Sequence, residues 1–212
     1  MKKLVTLGVI ALSVATAAVS AQSFSTVLDW MSTNGLTQYT TEEAFRPNDL
    51  IQRGELAKNL TQFAELMNLE KSKAASDCVF NDIENYDDTL EPHITEACEY
   101  GLVKGFQWAY NPRGNVTEAE MITIIVRALL GFQNENNNPR WLEYYEAAQW
   151  LGLLDGEDVR DLDVAATRSK VGTRLYRASL VDTDTLEQEG SDELKAILTE
   201  IFGEDFREEE AN

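Results

Sequence analysis

Basic residues are scarce in this chain. It has 18 lysines and arginines against 37 aspartates and glutamates among 212 residues, which gives a formal net charge of −19. A field of this sign repels phosphate groups, so it disfavours nucleic acid and anionic lipid as partners. It favours cations, polyamines or solubility in salt, although the solvated acidic surface of an exported protein would explain the same composition.

Histidine and cysteine are nearly absent. The single histidine, His93, lies five positions before Cys98, and no third group is marked that would orient it, so a nucleophilic cysteine is not predicted. The other cysteine is Cys78. In an oxidising compartment these two cysteines predict a disulfide, with two buried thiols as the alternative. The disulfide would join a strand-like opening at Val79 and Phe80 to the helix that contains Cys98.

A long apolar run occurs at the start of the chain, from Leu4 to Val19, behind Lys2 and Lys3. This layout is typical of a secretory signal, with cleavage expected after Ala21. The run is short for a membrane span, and no cysteine stands directly after the expected cleavage point, so neither a retained anchor nor a lipoprotein is predicted. We therefore expect an exported protein of the cell envelope or cell surface, without a membrane span in the mature chain.

The remainder contains one pattern three times. Apolar residues at helical spacing are stopped by Gly35, Gly101 and Gly152, which predicts three helices that end in glycine caps. Fifteen to seventeen residues later, tetrads starting at Gln52, Thr117 and Thr167 open a second helix in each copy. The buried faces predicted for these second helices are Leu56, Leu60, Phe63 and Met67, then Met121, Ile124, Ile125, Ala128 and Leu129, then Val171, Leu175 and Ala178.

The tetrads carry the clearest capping signals. In the second copy, Thr117 and Glu120 form a capping box, in which each side chain pairs with the other residue's backbone amide. Glu55 and Thr167 are the matching cap residues of the other two copies. The loops before the first two tetrads each hold an aromatic residue two positions before a proline, Phe45 and Tyr110, which we expect to fill the core.

These signals divide the chain into segments. The predicted boundaries are 1–21 for the signal peptide, 22–69, 76–131 and 139–181 for the three repeats, 132–138 for a linker, and 182–212 for an acidic tail. Within the tail, residues 191–202 place Leu194, Ile197, Leu198, Ile201 and Phe202 on one face, which predicts a short amphipathic helix. The fold class expected from all these helices is all-α.

With the tetrads in view, the chain resembles the S-layer homology family, whose modules hold exported proteins on bacterial cell envelopes. The second copy carries the closest likeness, through Phe80-Asn81-Asp82-Ile83, Gly101 to Phe106, Tyr110-Asn111-Pro112 and Val116 to Glu120. The first copy matches through Phe45-Arg46-Pro47-Asn48 and Ile51 to Glu55, and the third through Trp150 to Gly152 and Ala166 to Lys170. The likeness spans about residues 24–181.

The resemblance implies a pseudo-threefold bundle of three helix-loop-helix repeats, whose grooves bind acidic, often pyruvylated, envelope glycans through the tetrad arginine. Arg53 and Arg168 occupy that position here, where a guanidinium and a helix start together can hold a carboxylate. Glu118 replaces the arginine in the second copy, so its groove is expected to be inactive or changed, and Glu118→Arg would restore the family pattern. Gln52 for Thr and Lys170 for Glu are two further departures.

Two functions follow from these observations. The first is a non-catalytic anchor that binds an anionic envelope polysaccharide. The second is a structural or protein-interaction protein that keeps the repeat fold without binding sugar and docks another envelope protein through the 191–202 helix. An enzyme, a cofactor and a metal site are not predicted, because carboxylate pairs arise here from composition alone. The clustered carboxylates of the acidic loop 155–163 offer a calcium site as a minor alternative, although the loop lacks EF-hand spacing.

Overall fold

The computed structural model describes residues 23–84, 86–130, 141–154 and 163–181. The predicted signal peptide, the linker 132–138 and the acidic tail with its 191–202 helix lie outside these described residues. So does the acidic loop 155–163, apart from Asp163.

The described part of the chain is helical and contains no β-strand, which confirms the all-α prediction. The helices in order are α1 (Phe24–Thr33), α2 (Glu42–Phe45), α3 (Arg53–Leu66), a 3-10 helix (Ala75–Asp77), α4 (Glu91–Glu99), α5 (Glu118–Leu130), α6 (Trp141–Trp150) and α7 (Arg168–Ala178). None of them is both long and apolar enough to cross a membrane.

Three helices end in the predicted glycine caps. Shortly after α1, α4 and α6, the glycines at 35, 101 and 152 adopt φ angles of +77°, +74° and +71°, a region in which side-chain-bearing residues are strained. In each case the next residue donates its amide to a carbonyl in the last turn, at 2.9 Å for Leu36, 3.0 Å for Leu102 and 2.9 Å for Leu153. This is the Schellman pattern of helix termination. The glycines therefore serve the fold, as predicted.

The helices pack in a circular order. Helix α3 packs on α4, α5 on α6, and α7 on α1, so each helix opened by a tetrad rests on a helix that a glycine closes in the next copy. The last of these contacts joins the end of the described chain to its start. A Cβ at Gly172 on α7 would lie 2.6 Å from the sulfur of Met31 on α1, so a larger residue there would force the Met31 side chain to shift.

A closed ring of backbone hydrogen bonds links the starts of α3, α5 and α7. The amide of Ile51 donates to the carbonyl of Ala166 at 3.1 Å, Ala166 donates to Val116 at 2.8 Å, and Val116 donates to Ile51 at 3.1 Å. Each of these residues immediately precedes a tetrad, and all three are buried. Because these three residues bond to one another directly, the starts of the three helices lie close together.

The predicted faces of α3, α5 and α7 form part of the core, which also includes residues of α1, α4 and α6. Their members are buried, except that Met67 is only partly so. Phe45 and Tyr110 are 5% and 2% exposed, which confirms that the two loop aromatics fill the core.

The predicted disulfide is present between Cys78 and Cys98, with 5.7 Å between their Cα atoms. The strand-like opening expected beside it was wrong. Cys78 follows the 3-10 helix Ala75–Asp77, and no strand runs through Val79 and Phe80. The amide of Asn81 donates to the carbonyl of Trp108 at 2.8 Å, but this single contact does not extend into a ladder.

Candidate ligand-binding site

The three tetrads lie at helix starts as the sequence predicts. Helix α5 has the complete capping box, since the Thr117 amide donates to Glu120 at 2.9 Å and the Glu120 amide donates to the Thr117 hydroxyl at 3.2 Å. At α3 the amide of Gln52 donates to Glu55 at 3.0 Å. At α7 the Thr167 hydroxyl accepts the Lys170 amide at 3.4 Å. These caps fix the backbone at the start of each helix, where the second tetrad residues Arg53, Glu118 and Arg168 lie.

Arg53 is not a free surface residue. Its Nη1 donates to Glu120 of the next tetrad at 2.8 Å, its Nε to the carbonyl of Tyr110 at 2.9 Å, and its Nη2 to the carbonyl of Lys104 at 3.2 Å. The guanidinium also lies 4.8 Å from the centre of the Tyr110 ring. Only 18% of the side chain is exposed. We call the Arg53–Glu120 contact the first junction.

Arg168 repeats this arrangement. It pairs with Glu55 of the first tetrad and donates to the carbonyl of Phe45 at 3.1 Å. Its side chain is also 18% exposed. We call the Arg168–Glu55 contact the third junction. Both arginines thus join the second position of one tetrad to the fourth position of another.

Glu118 takes part in the corresponding contact with the charges reversed. It pairs with Lys170, the fourth residue of the third tetrad, at 3.0 Å, and with Arg174 at 2.7 Å. Its side chain is 3% exposed and that of Arg174 is 5% exposed. We call this group the second junction. It is an ion-pair cluster around the buried Glu118. In the sequence, Glu118 and Lys170 read as two separate departures from the family pattern, but in the structure they contact each other.

A surface cleft opens beside the third junction. Its lining residues are Leu36, Thr37, Gln38, Tyr39, Phe45, Ile51, Glu55, Lys58, Asn59, Thr89, Leu90 and Arg168. The charged members are one carboxylate, Glu55, and two cations, Lys58 and Arg168. Lys58 forms no ion pair within the described part of the chain. The cleft is therefore cationic by one charge, in a protein whose net charge is −19, and it offers hydroxyl and amide groups beside that charge.

Tyr110 is a buried residue that contacts Arg53 of the first junction. Its hydroxyl donates to the carbonyl of Arg53 at 2.9 Å, and burial raises the pKa of the phenol above its ordinary value. Both oxygens of Asp82 accept backbone amides from the same loop, from Tyr110 at 2.8 Å and from Asn111 at 2.7 Å. These contacts hold the loop that carries two of Arg53's carbonyl partners.

Sequence reasoning missed several of these contacts. The tetrad arginines and Thr117, Glu120, Glu55 and Thr167 were placed correctly at helix starts, but their partners across the junctions were not foreseen. The role of Asp82 and the 2.8 Å contact between His93 and the Thr61 hydroxyl were also missed. Only the three-residue offset inside each tetrad could have suggested the junction partners, and using it requires knowing which helix starts meet.

The described residues include no group of three or more His, Cys, Asp or Glu side chains that could hold a metal ion. Comparison of the chain with models of known families and with curated proteins finds no match.

Proposed function

We propose that this protein is a non-catalytic module of the cell envelope that binds an anionic, carboxylate-bearing polysaccharide. The observation that carries the proposal is the cleft at the third junction, because Lys58 and Arg168 make it cationic against the charge of the whole chain. A carboxylate there would gain charge-assisted hydrogen bonds from both groups. The neighbouring hydroxyl and amide side chains suit the hydroxyl groups of a sugar.

The architecture that we propose is a pseudo-threefold bundle of three helix-loop-helix repeats of the S-layer homology type. Its support is the circular packing of the helices, the closed backbone ring at Ile51, Val116 and Ala166, and the equivalent junctions between tetrads. In this scheme the first and third junctions lie beside binding grooves and the second serves as scaffold. The signal-like start of the chain supports export to the envelope.

A second candidate function has an observation in its favour. Arg53 and Arg168 are already neutralised by Glu120 and Glu55, so both arginines could serve the fold alone. The protein would then be a structural or interaction protein of the envelope that does not bind sugar.

Binding to purified acidic envelope polysaccharide, measured by calorimetry and by co-sedimentation with envelope fragments, separates the two functions. Lys58→Ala is the most informative single change, since Lys58 has no ion pair among the described residues, and it should weaken binding about tenfold. The matched control is Lys71→Ala, which removes an equal charge that is paired with Glu96 and Glu99 outside the cleft.

Replacing both Arg53 and Arg168 by alanine should remove most of the binding, with helix content checked by circular dichroism. If the parent protein does not bind the polysaccharide, or if Lys58→Ala and the double variant both bind as the parent does, the glycan proposal fails. The structural function then becomes the better conclusion.

A further inference from the structure

A tight hairpin stands at the edge of the first junction. The backbone groups of Phe106 and Ala109 exchange both hydrogen bonds, at 2.8 and 3.0 Å, and the two residues between them have positive φ angles, +51° at Gln107 and +66° at Trp108. This is the geometry of a type I′ turn, which strongly favours Asn-Gly because both central residues are left-handed. A tryptophan at the second position is disfavoured by the backbone, so the turn alone does not account for it.

The two aromatic side chains of this hairpin face solvent. Phe106 is 76% exposed and Trp108 is 71% exposed, the two highest values among the large hydrophobic side chains of the described residues. Neither ring therefore contributes much to the core. Two large apolar rings on one exposed turn form an apolar patch of the kind that serves as a contact surface.

The hairpin is held firmly at its base. The carbonyl of Trp108 accepts the amide of Asn81 at 2.8 Å, and the Phe80 ring lies 5.4 Å from that of Tyr110. A Cβ at Gly105 would lie 2.5 Å from the Phe80 ring, so the chain enters the turn in close contact with the core. A ligand that stacks on such a platform loses little affinity to ordering of the protein.

Cationic groups adjoin the aromatic ones. Arg53 donates to the carbonyls of Lys104 and Tyr110, the residues that flank the hairpin segment on either side. Lys104 itself is exposed. The surface therefore combines two apolar rings with the ammonium group of Lys104, and the Arg53–Glu120 ion pair lies at its edge.

We propose that Phe106 and Trp108 form a stacking platform for a sugar ring of the acidic polysaccharide, whose carboxylate faces Arg53 and Lys104. This inference rests on the proposed function and adds a second contact region to it. The C–H face of a pyranose stacks favourably on the electron-rich face of an indole. The neighbouring cations identify the occupant, because Arg53 and Lys104 complement the carboxylate of an anionic sugar.

Trp108→Gly is the decisive variant. It removes the ring while giving the turn the residue that its φ angle favours, so the variant should melt no lower than the parent. Its affinity for purified acidic envelope polysaccharide should fall about tenfold. The fluorescence of the parent should shift to shorter wavelength on binding, and most of that shift should be lost in the variant. Trp150→Ala, which removes an indole that is 44% exposed at the end of α6, is the matched control.

The outcomes are separable. If the parent binds polysaccharide and Trp108→Gly binds equally well, the platform is disproved and the proposed function stands. If the parent binds no polysaccharide, both proposals fail. Co-sedimentation with phosphatidylglycerol vesicles, or self-association in the ultracentrifuge, that is present in the parent and lost in Trp108→Gly would overturn the proposal by assigning the hairpin to lipid or to a second copy.

Discussion

The first and second junctions differ in polarity and in burial. At the first, the arginine occupies the second tetrad position and the glutamate the fourth, and the side chains are 18% and 33% exposed. At the second, glutamate occupies the second position and lysine the fourth, and Glu118 with Arg174 is almost completely buried. The same backbone arrangement thus accepts either polarity, provided that the two charges are complementary. A charge reversal in one tetrad can only be interpreted together with the tetrad that it contacts.

The largest effect that tests this comparison is expected at Glu118. Glu118→Ala should lower the free energy of unfolding by about 3–5 kcal/mol, because it removes the buried carboxylate that pairs with Arg174 and with Lys170. Urea denaturation measures the change, and alanine at the exposed Glu84 is the control. A loss below about 1 kcal/mol would mean that the second junction is solvated like an ordinary surface pair.

The second junction also changes the expectation for Glu118→Arg. The resemblance noted in the sequence predicts that this substitution would restore an arginine at the second tetrad position. In the structure it would place a third cation against Arg174 and Lys170 in a buried site, so we expect it to destabilise the protein more than Glu118→Ala does. Lys170 and Glu118 therefore form one complementary pair, and neither residue can be interpreted alone.

The sequence predicted what is local and missed what is distant. Glycine caps, the Thr117–Glu120 box and the apolar helix faces depend on residues within one or two turns, so their spacing is visible in the chain. The junction partners are 67 residues apart for Arg53 and Glu120, 113 for Arg168 and Glu55, and 56 for Arg174 and Glu118. No local pattern links such residues. The disulfide was predictable because the chain contains only two cysteines.

The candidate site was predictable only in part. The tetrads located Arg168 and Glu55. The cationic cleft also depends on Lys58, which lies about one turn after Glu55 on α3, and on loop residues that the fold brings together. The strand expected at Val79 and Phe80 failed for a related reason. A strand requires a partner along its length, and Asn81 makes only one backbone contact there.

A smaller effect is expected at the first junction. Arg53→Ala should reduce the free energy of unfolding by about 1–2 kcal/mol, because it removes charged hydrogen bonds but leaves Glu120 one-third exposed to water. Urea denaturation beside Glu118→Ala compares the two junctions directly. The control is Arg113→Ala, which removes an exposed guanidinium that stacks on Tyr86. Equal losses at Arg53 and Glu118 would contradict the view that burial separates the two junctions.

The smallest effect is a loss of folding stability at alkaline pH, which we expect from the buried phenol of Tyr110 at the first junction. Burial raises the pKa of this phenol, so the folded protein holds the proton more tightly than the unfolded chain does. The resulting stability is complete below the unfolded pKa of about 10 and is lost as the pH rises above it, by at most about 1.4 kcal/mol per pH unit.

Tyr110→Phe has no proton to lose, although it lacks the hydrogen bond to the Arg53 carbonyl. In urea denaturation at about pH 9 and about pH 11, the parent should therefore lose about 1 kcal/mol more than Tyr110→Phe over this interval. Tyr39→Phe, at a tyrosine that is 37% exposed, should behave as the parent does. Parallel losses in the parent and in Tyr110→Phe would show that this phenol does not couple the first junction to pH.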